Sequence, residues 1–125
     1  MKNVLIVEDS KAIRSMIRVS LEEAGGFFAI EAGNGFEALK TLPTRQFDLI
    51  ITDINMPDIN GLELIGYVKS NPAYRGIPLI IVSTEKSEED KKRGLALGAA
   101  GYVVKPFKKE DLVAMVAQVL GGSGA

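Results

Sequence analysis

Five residues whose side chains could do chemistry follow the short apolar segments of this 125-residue chain. They are Glu8 and Asp9 after the first segment, Asp53 after the third, Ser83 after the fourth and Lys105 after the fifth. Carboxylate oxygens are ligands that Mg²⁺ prefers, and a site that holds this cation also attracts the oxygens of a phosphoryl group. The residue types therefore predict a magnesium site at which a phosphoryl group is transferred.

The charges of these groups also favour a bound cation. Three carboxylates and one lysine carry a formal charge of −2. Carboxylates that lie close together raise one another's pKa unless a cation enters, and a divalent ion would bring the sum to zero. One of the carboxylates can then act as the nucleophile and become an acyl phosphate.

The apolar segments that precede these residues are predicted to be buried strands. They are rich in Val, Ile and Phe, and in several of them apolar residues do not alternate with polar ones. This pattern is typical of strands that are buried on both faces of a parallel sheet. Stretches with helical periodicity lie between them. The predicted strands cover residues 4–7, 27–30, 49–51, 79–82 and 102–104, and the predicted helices cover residues 13–24, 35–42, 61–69, 88–97 and 108–120.

This alternation predicts an α/β fold of five βα units, (βα)5, with helices on both faces of a parallel sheet. Ligands of such sheets bind beyond the carboxyl ends of the strands, which is where the candidate residues fall. Residues 2–120 form one domain in this interpretation, and residues 121–125, rich in Gly, are predicted to be a flexible tail. The charged residues 88–93 are expected to face solvent or a partner protein.

The composition excludes several classes of function. The chain has no cysteine and no histidine, which rules out disulfides, thiolate zinc sites, Ser-His-Asp triads and a phosphohistidine on this chain. Its net charge of −1 disfavours nucleic acid and anionic membranes as direct partners. No apolar stretch is long enough for a signal-peptide core or a membrane span, so a cytoplasmic protein is expected.

Each candidate residue also has an ordinary structural interpretation. Asp53 alone could be a turn former or a helix N-cap, and Glu8 and Asp9 could belong to the N-cap region of the first helix. Ser83 could cap the fourth helix, and Lys105 could be a surface lysine. The shared position of all five residues at one end of four strands favours a site over these separate explanations.

Four motifs, in order and at matching spacing, make the chain similar to the receiver domains of two-component response regulators, in particular to CheY-like single-domain chemotaxis regulators. Asp53 and Ser83 are 30 residues apart, and Ser83 and Lys105 are 22 residues apart. The resemblance covers residues 2 to about 120 and implies a flavodoxin-like, doubly wound sheet with strand order 2-1-3-4-5 and five helices. The motifs are Val7-Glu8-Asp9-Ser10, Asp53-Ile54-Asn55-Met56-Pro57, Val82-Ser83-Thr84-Glu85 and Gly98-Ala99-Ala100-Gly101-Tyr102-Val103-Val104-Lys105-Pro106-Phe107.

The resemblance implies a role for each residue near the acids. Asp53 matches the phosphoryl acceptor of the family. Asp9 matches a direct Mg²⁺ ligand, Glu8 matches an acid that acts mostly through water, and the backbone carbonyl of Asn55 matches a further ligand. Glu8 stands where the family more often has Asp, so its longer side chain is expected to use a different water arrangement.

The resemblance also implies a set of residues that respond to phosphorylation. Ser83 matches the switch hydroxyl, Lys105 the phosphate-binding lysine and Tyr102 the aromatic switch residue. The bond between Lys105 and Pro106 is expected to be cis.

Three residues are expected to set how fast the phosphoryl group is lost. Thr84 is bulkier than the Ala or Gly that is usual at its position, and is expected to narrow access to the acyl phosphate. Asn55 and Glu85 match residues that speed dephosphorylation in fast-cycling chemotaxis regulators. These two expectations oppose each other.

The function implied is a phosphorylation-activated switch and not an enzyme. A CheA-like histidine kinase would donate the phosphoryl group to Asp53, and the phosphorylated chain, a monomer, would bind a downstream protein such as the flagellar motor switch. A phosphatase is a further partner. The alternatives are a phosphorelay intermediate, a receiver excised from a larger regulator, an unphosphorylated interaction module, and a Mg²⁺-dependent phosphohydrolase. Asn55 argues against the phosphohydrolase, because such enzymes carry a second Asp at that position.

Overall fold

Strands and helices alternate along the described residues, 1–84 and 88–122, of a computed structural model. All five predicted strands and all five predicted helices are present. The short 3₁₀ helix Leu42–Thr44 follows the second α-helix, where Pro43 ends the regular helical pattern. The strands are β1 Lys2–Val7, β2 Phe27–Ala32, β3 Leu49–Asp53, β4 Leu79–Thr84 and β5 Gly101–Lys105, and the helices are α1 Lys11–Ala24, α2 Gly35–Thr41, α3 Gly61–Ser70, α4 Glu88–Leu97 and α5 Lys109–Gly122.

The five strands form one parallel sheet in the order β2-β1-β3-β4-β5, which confirms the predicted flavodoxin-like order. The register aligns the carboxyl ends of the strands. Val7 lies beside Thr52, Asp53 beside Val82, and Thr84 beside Lys105. The residues that follow these strands therefore meet at one edge of the sheet, as the sequence predicts.

The sheet is covered on both faces, and each face has its own apolar core. Because successive residues of a strand point to opposite faces, Val4 and Ile6 pack with α1 and α5 while Leu5 and Val7 pack with α2 and α3. Helix α4 has few apolar residues and lies close to the sheet through Gly94, where a Cβ would collide with Ile81. The prediction of a doubly wound α/β fold is confirmed.

Local sequence signals predicted both ends of α1 but not the end of α5. The Ser10 hydroxyl accepts a hydrogen bond from the Ile13 N–H at 3.3 Å, and Gly25 ends α1 with φ at 85°. Met16, however, is 44% exposed although it shares the apolar spacing of α1. The last helix continues to Gly122, so it includes the first two residues of the predicted tail, and residues 123–125 lie outside the described residues.

Within residues 1–84 and 88–122, no helix is both long enough and apolar enough to cross a membrane.

Candidate functional site

The acid cluster, formed by Glu8, Asp9 and Asp53, lies where β1 and β3 end. Each residue offers a carboxylate oxygen, and these oxygens lie within 4.8 Å of one another. Asp9 is exposed, whereas Glu8 is 1% exposed and Asp53 is 5% exposed. The sequence-based prediction that these three acids meet is confirmed, and the set of hard oxygen donors is one that suits a divalent cation.

Lys105, the last residue of β5, places its ammonium group between the two buried acids. Its Nζ lies 3.2 Å from Glu8 Oε2 and 3.4 Å from Asp53 Oδ2. Since β5 is separated from β1 by two strands, the lysine side chain reaches across the strand ends to make these ion pairs. The surface-lysine interpretation of Lys105 is therefore wrong.

Glu8 has an unusual protonation equilibrium. Burial raises the pKa of its carboxyl from 4.5 to about 7, and the negative charge of Asp53 acts in the same direction. The ammonium of Lys105 and the Ser10 N–H, which donates to Glu8 Oε1 at 3.3 Å, lower this pKa but do not offset the burial. A cation that binds the acid cluster would therefore displace a proton from Glu8 near neutral pH.

The loop after β3 holds Asp53 by its own backbone. The N–H of Asn55 donates to Asp53 Oδ1 at 3.3 Å, and the N–H of Gly61 donates to the carbonyl of Ile54 at 2.9 Å. A Cβ at Gly61 would collide with the Asp53 carbonyl, so only glycine allows α3 to begin this close to the end of β3. The carbonyl of Asn55 as a metal ligand stays a prediction.

Arg14 of α1 binds the backbone beside the acid cluster. Sequence analysis did not identify this residue. Its Nη1 donates to the Glu8 carbonyl at 2.8 Å, and its Nε donates to Glu31 Oε1 at 2.8 Å. The guanidinium therefore joins the end of β1 to β2. The only signal in the sequence is an arginine on the polar face of the helix that follows an acid pair.

Ser83 is buried within β4, and its hydroxyl has no hydrogen-bond partner among the described residues. The interpretation of Ser83 as a cap of the fourth helix is therefore wrong, because Ser83 lies within β4 and its hydroxyl accepts no N–H among the described residues. Thr84 follows it as the last residue of β4 and is exposed. A buried hydroxyl without a partner is uncommon, because desolvation of a polar group is normally offset by a hydrogen bond.

Tyr102, on β5, is 37% exposed, and the ammonium of Lys91 lies 4.2 Å from the centroid of its ring. Lys91 is only 7% exposed, which corrects the expectation that all of residues 88–93 face solvent. Nothing in the spacing of that charged segment distinguishes this lysine from its neighbours.

The loop after β5 has the predicted shape. The peptide bond between Lys105 and Pro106 is cis, as the resemblance implies. A mostly apolar hollow of about 360 Å³ lies beside it, and its walls include Thr84, Phe107 and Ile13. Glu85, the predicted dephosphorylation residue, lies outside the described residues.

Comparisons with known proteins agree with this geometry. Residues 4–117 match the sequence model of a family described as the response regulator receiver domain. A solved structure of the Vibrio cholerae chemotaxis protein CheY4 is similar, with a TM-score of 0.89 and 40% sequence identity. The match covers 96% of this chain and 99% of that structure.

Relatives of two architectures match the chain. A chemotaxis protein CheY homolog of Campylobacter jejuni is 37% identical over 97% of this chain and 95% of its own length. The phosphate regulon transcriptional regulatory protein PhoB of Pseudomonas aeruginosa is 38% identical over 98% of this chain, which spans only 53% of that protein. Because the family model covers nearly all of the sheet and the acid cluster sits at its carboxyl edge, the chain belongs to the response regulator receiver domain family.

Proposed function

We propose that the chain is a phosphorylation-activated switch in which Asp53 accepts a phosphoryl group from the phosphohistidine of a sensor kinase. The observation that carries this proposal is the position of Lys105, whose ammonium lies within 3.4 Å of both Asp53 and Glu8. The ammonium of Lys105, which lies between two buried acids with Asp9 beside them, can neutralise the charge of an incoming phosphoryl group.

The donor set fits Mg²⁺. Glu8, Asp9 and Asp53 offer carboxylate oxygens within 4.8 Å of one another, and the resemblance adds the backbone carbonyl of Asn55. When bound, Mg²⁺ would supply positive charge against the acids and the phosphoryl oxygens.

The transfer is a displacement at phosphorus. A carboxylate oxygen of Asp53 attacks in line, a bond forms between this oxygen and phosphorus, and the bond from phosphorus to the histidine nitrogen of the kinase breaks. The chain has no histidine of its own, so the donor belongs to a partner, for which a CheA-like kinase is the first candidate. Later attack by water on phosphorus releases inorganic phosphate and restores the Asp53 carboxylate, and the side chains of Asn55, Thr84 and Glu85 tune this step.

The response uses the buried hydroxyl of Ser83, which has no hydrogen-bond partner among the described residues. The buried Ser83 hydroxyl can donate to a phosphoryl oxygen on Asp53 without first breaking another hydrogen bond. Its movement would shift the end of β4 and the start of α4, and Tyr102 on the neighbouring strand would turn inward. The surface formed by α4, β5 and α5 would then bind the downstream protein.

Chemotaxis is the role we favour, because the match to the CheY homolog covers 95% of that protein. The monomeric phosphorylated chain would then act in the cytoplasm on a partner such as the flagellar motor switch. The match to about half of PhoB supports a second candidate, a receiver that works as part of a longer regulator or a phosphorelay. Binding of the phosphorylated chain to a purified motor-switch protein would separate the two.

Intact-mass spectrometry tests the acceptor. With acetyl phosphate and Mg²⁺ the chain should gain the mass of one phosphoryl group, mapped to Asp53, and removal of the metal with EDTA should suppress the gain. Asp53→Asn should abolish labelling while the fold stays intact, because the change is nearly isosteric. Asp58→Asn is the matched control, since Asp58 is exposed and Asn also tolerates its φ of 66°.

Three outcomes would contradict the proposal. Full labelling of Asp53→Asn would show that the acceptor is another residue, and an unchanged mass of the wild-type chain would favour an unphosphorylated interaction module. Steady turnover of phosphomonoesters would instead indicate a phosphohydrolase.

A further inference from the structure

Lys91 is buried, whereas lysines on a charged surface helix are normally exposed. It lies on α4, its side chain is 9% exposed, and its ammonium makes an ion pair with Glu88 at 3.1 Å. Lysine side chains are rarely buried to this extent unless the charge has a specific partner. The second partner here is the ring of Tyr102, whose centroid lies 4.2 Å from Nζ.

The position of α4 brings this lysine to the ring. Gly94, one turn after Lys91, lies close to Ile81 of β4, and a Cβ there would collide with the terminal methyl group of the Ile81 side chain. Tyr102 is the register partner of Ile81 on β5. The sheet thus places α4 beside the backbone of Tyr102, and the Lys91 ammonium lies over the ring of this residue, which is 37% exposed.

We propose that Lys91 is a positioning residue that holds Tyr102 in its outward orientation and so keeps the switch in the resting state. This inference rests on the proposed function, in which Tyr102 turns inward after phosphorylation, because the contact with Lys91 makes that turn less favourable in free energy. A cation over an aromatic face is attracted by the ring's quadrupole, and the attraction is stronger when the cation is shielded from water, as Lys91 is. The inward turn must break this contact, so the contact biases the two-state element.

Removal of the charge alone tests this role. Lys91→Met keeps the length of the side chain and its apolar stem but removes the cation. Lys91→Arg keeps a cation that can lie over the same ring. Lys92→Met, at the neighbouring exposed position, is the control for the general loss of one positive charge on α4.

The first measurement needs no phosphoryl group. NMR of the ring-labelled tyrosines in the unmodified protein should show the Tyr102 signals of Lys91→Met displaced from those of the wild type. Lys91→Arg should restore the wild-type signals, and Lys92→Met should not move them. Unmoved Tyr102 signals in Lys91→Met would overturn the proposal whether or not Asp53 is the acceptor.

The second measurement is the affinity for beryllofluoride with Mg²⁺, as a mimic of the phosphoryl group on Asp53. Lys91→Met should bind it roughly three- to tenfold more tightly than the wild type, because less is lost when Tyr102 turns inward. The gain should vanish in a Tyr102→Leu background. An equal gain in that background, or no gain at all, would show that Lys91 does not act through the ring. If the wild type binds no beryllofluoride, the proposed function fails, while the NMR measurement still decides the role of Lys91.

Discussion

Two groups of residues, one at the carboxyl edge of the sheet and one on β4 and β5, differ in how their polar atoms are satisfied. In the acid cluster, the buried carboxylates of Glu8 and Asp53 share the ammonium of Lys105, and each also accepts a backbone N–H. At the hydroxyl end, formed by Ser83 and Tyr102, the buried Ser83 hydroxyl has no hydrogen-bond partner among residues 1–84 and 88–122, and Tyr102 is partly exposed. The acids of the cluster are thus held by partners before any ligand binds. The hydroxyl end, in contrast, keeps a free donor that a phosphoryl group on Asp53 can use.

This difference predicts where substitutions should cost stability and where they should change only the response. Changes at the acid cluster should alter the free energy of unfolding, in a way that depends on pH and on metal. Changes at the hydroxyl end should leave that free energy nearly unchanged.

Lys105→Ala should have the largest effect. It leaves two buried carboxylates without their cation, so the free energy of unfolding of the metal-free protein should fall by about 3 kcal/mol at pH 8. The loss should be smaller at pH 6, where Glu8 takes up a proton, and Mg²⁺ should still bind while Tyr102 no longer responds to phosphorylation by NMR. Lys108→Ala, at an exposed position, is the control for denaturant melts. Equal free energies of unfolding for both variants would mean that the ion pairs of Lys105 contribute nothing to stability.

Gly61→Ala should have the next largest effect, because its Cβ would collide with the backbone of Asp53. The start of α3 must move away from the acid cluster, and we expect a loss of about 2 kcal/mol together with weaker Mg²⁺ binding. Gly66→Ala lies in the same helix with nothing within 4 Å of its Cβ, and should gain up to about 1 kcal/mol. Thermal melts and Mg²⁺ titrations measure both. A stable Gly61→Ala variant with unchanged Mg²⁺ affinity would show that this close approach is not needed.

Glu8→Gln should change how stability depends on pH. The pKa of Glu8 is about 7 in the folded state, raised from 4.5, so the folded protein holds this proton more tightly than the unfolded one. The stability that the proton contributes is present below pH 4.5 and is lost as the pH rises to about 7. Metal-free Glu8→Gln should therefore match the wild type near pH 5 and exceed it by about 1–3 kcal/mol at pH 8.

Calorimetry in EDTA across this pH range checks the effect of Glu8→Gln. Mg²⁺ should reduce the advantage of the variant, because the metal favours the ionised Glu8 of the wild type. Glu89→Gln, at an exposed position of α4, should leave the pH profile unchanged. Parallel pH profiles for wild type and Glu8→Gln would contradict the raised pKa of Glu8.

Ser83→Ala should have the smallest effect on stability. The hydroxyl is buried without a partner, so its removal should change the free energy of unfolding by less than about 1 kcal/mol. Labelling of Asp53 should persist, but the NMR shift of Tyr102 that follows it should be reduced. A large loss of stability would mean that Ser83 has a partner in the resting fold, and the contrast between the two groups of residues would fail.

The sequence was sufficient for the fold and for the acid cluster. Buried strands are apolar throughout, and the direction of the chain fixes which residue follows each strand, so the apolar segments placed Glu8, Asp53 and Lys105 at one edge of the sheet. The strand order that brings them together came from the resemblance to receiver domains. Ser83 was ambiguous, because a Ser-Thr pair before several acids is also typical of a helix start. Only the register of β4 with β5 shows that it belongs to the strand.

The roles of Lys91 and Arg14 could not be predicted, because both depend on packing between elements. Lys91 is buried on a helix that lies close to β4 at Gly94, and nothing in residues 88–93 marks one lysine as different. Arg14 reaches Glu31 only because β2 lies beside β1 in the sheet. Such roles depend on distances between segments that are far apart in the chain, and periodicity carries no information about those distances.

The guanidinium of Arg14 has one more consequence for the molecule. By binding both the carbonyl of Glu8, which follows β1, and the side chain of Glu31, it joins β2, one of the two edge strands, to the segment that carries Asp9. Fraying of β2 would therefore also displace the segment that carries Glu8 and Asp9, because the Glu8 N–H donates to the Ala32 carbonyl of β2 as well. The position of the exposed Asp9 therefore depends on an edge strand of the sheet as well as on β1.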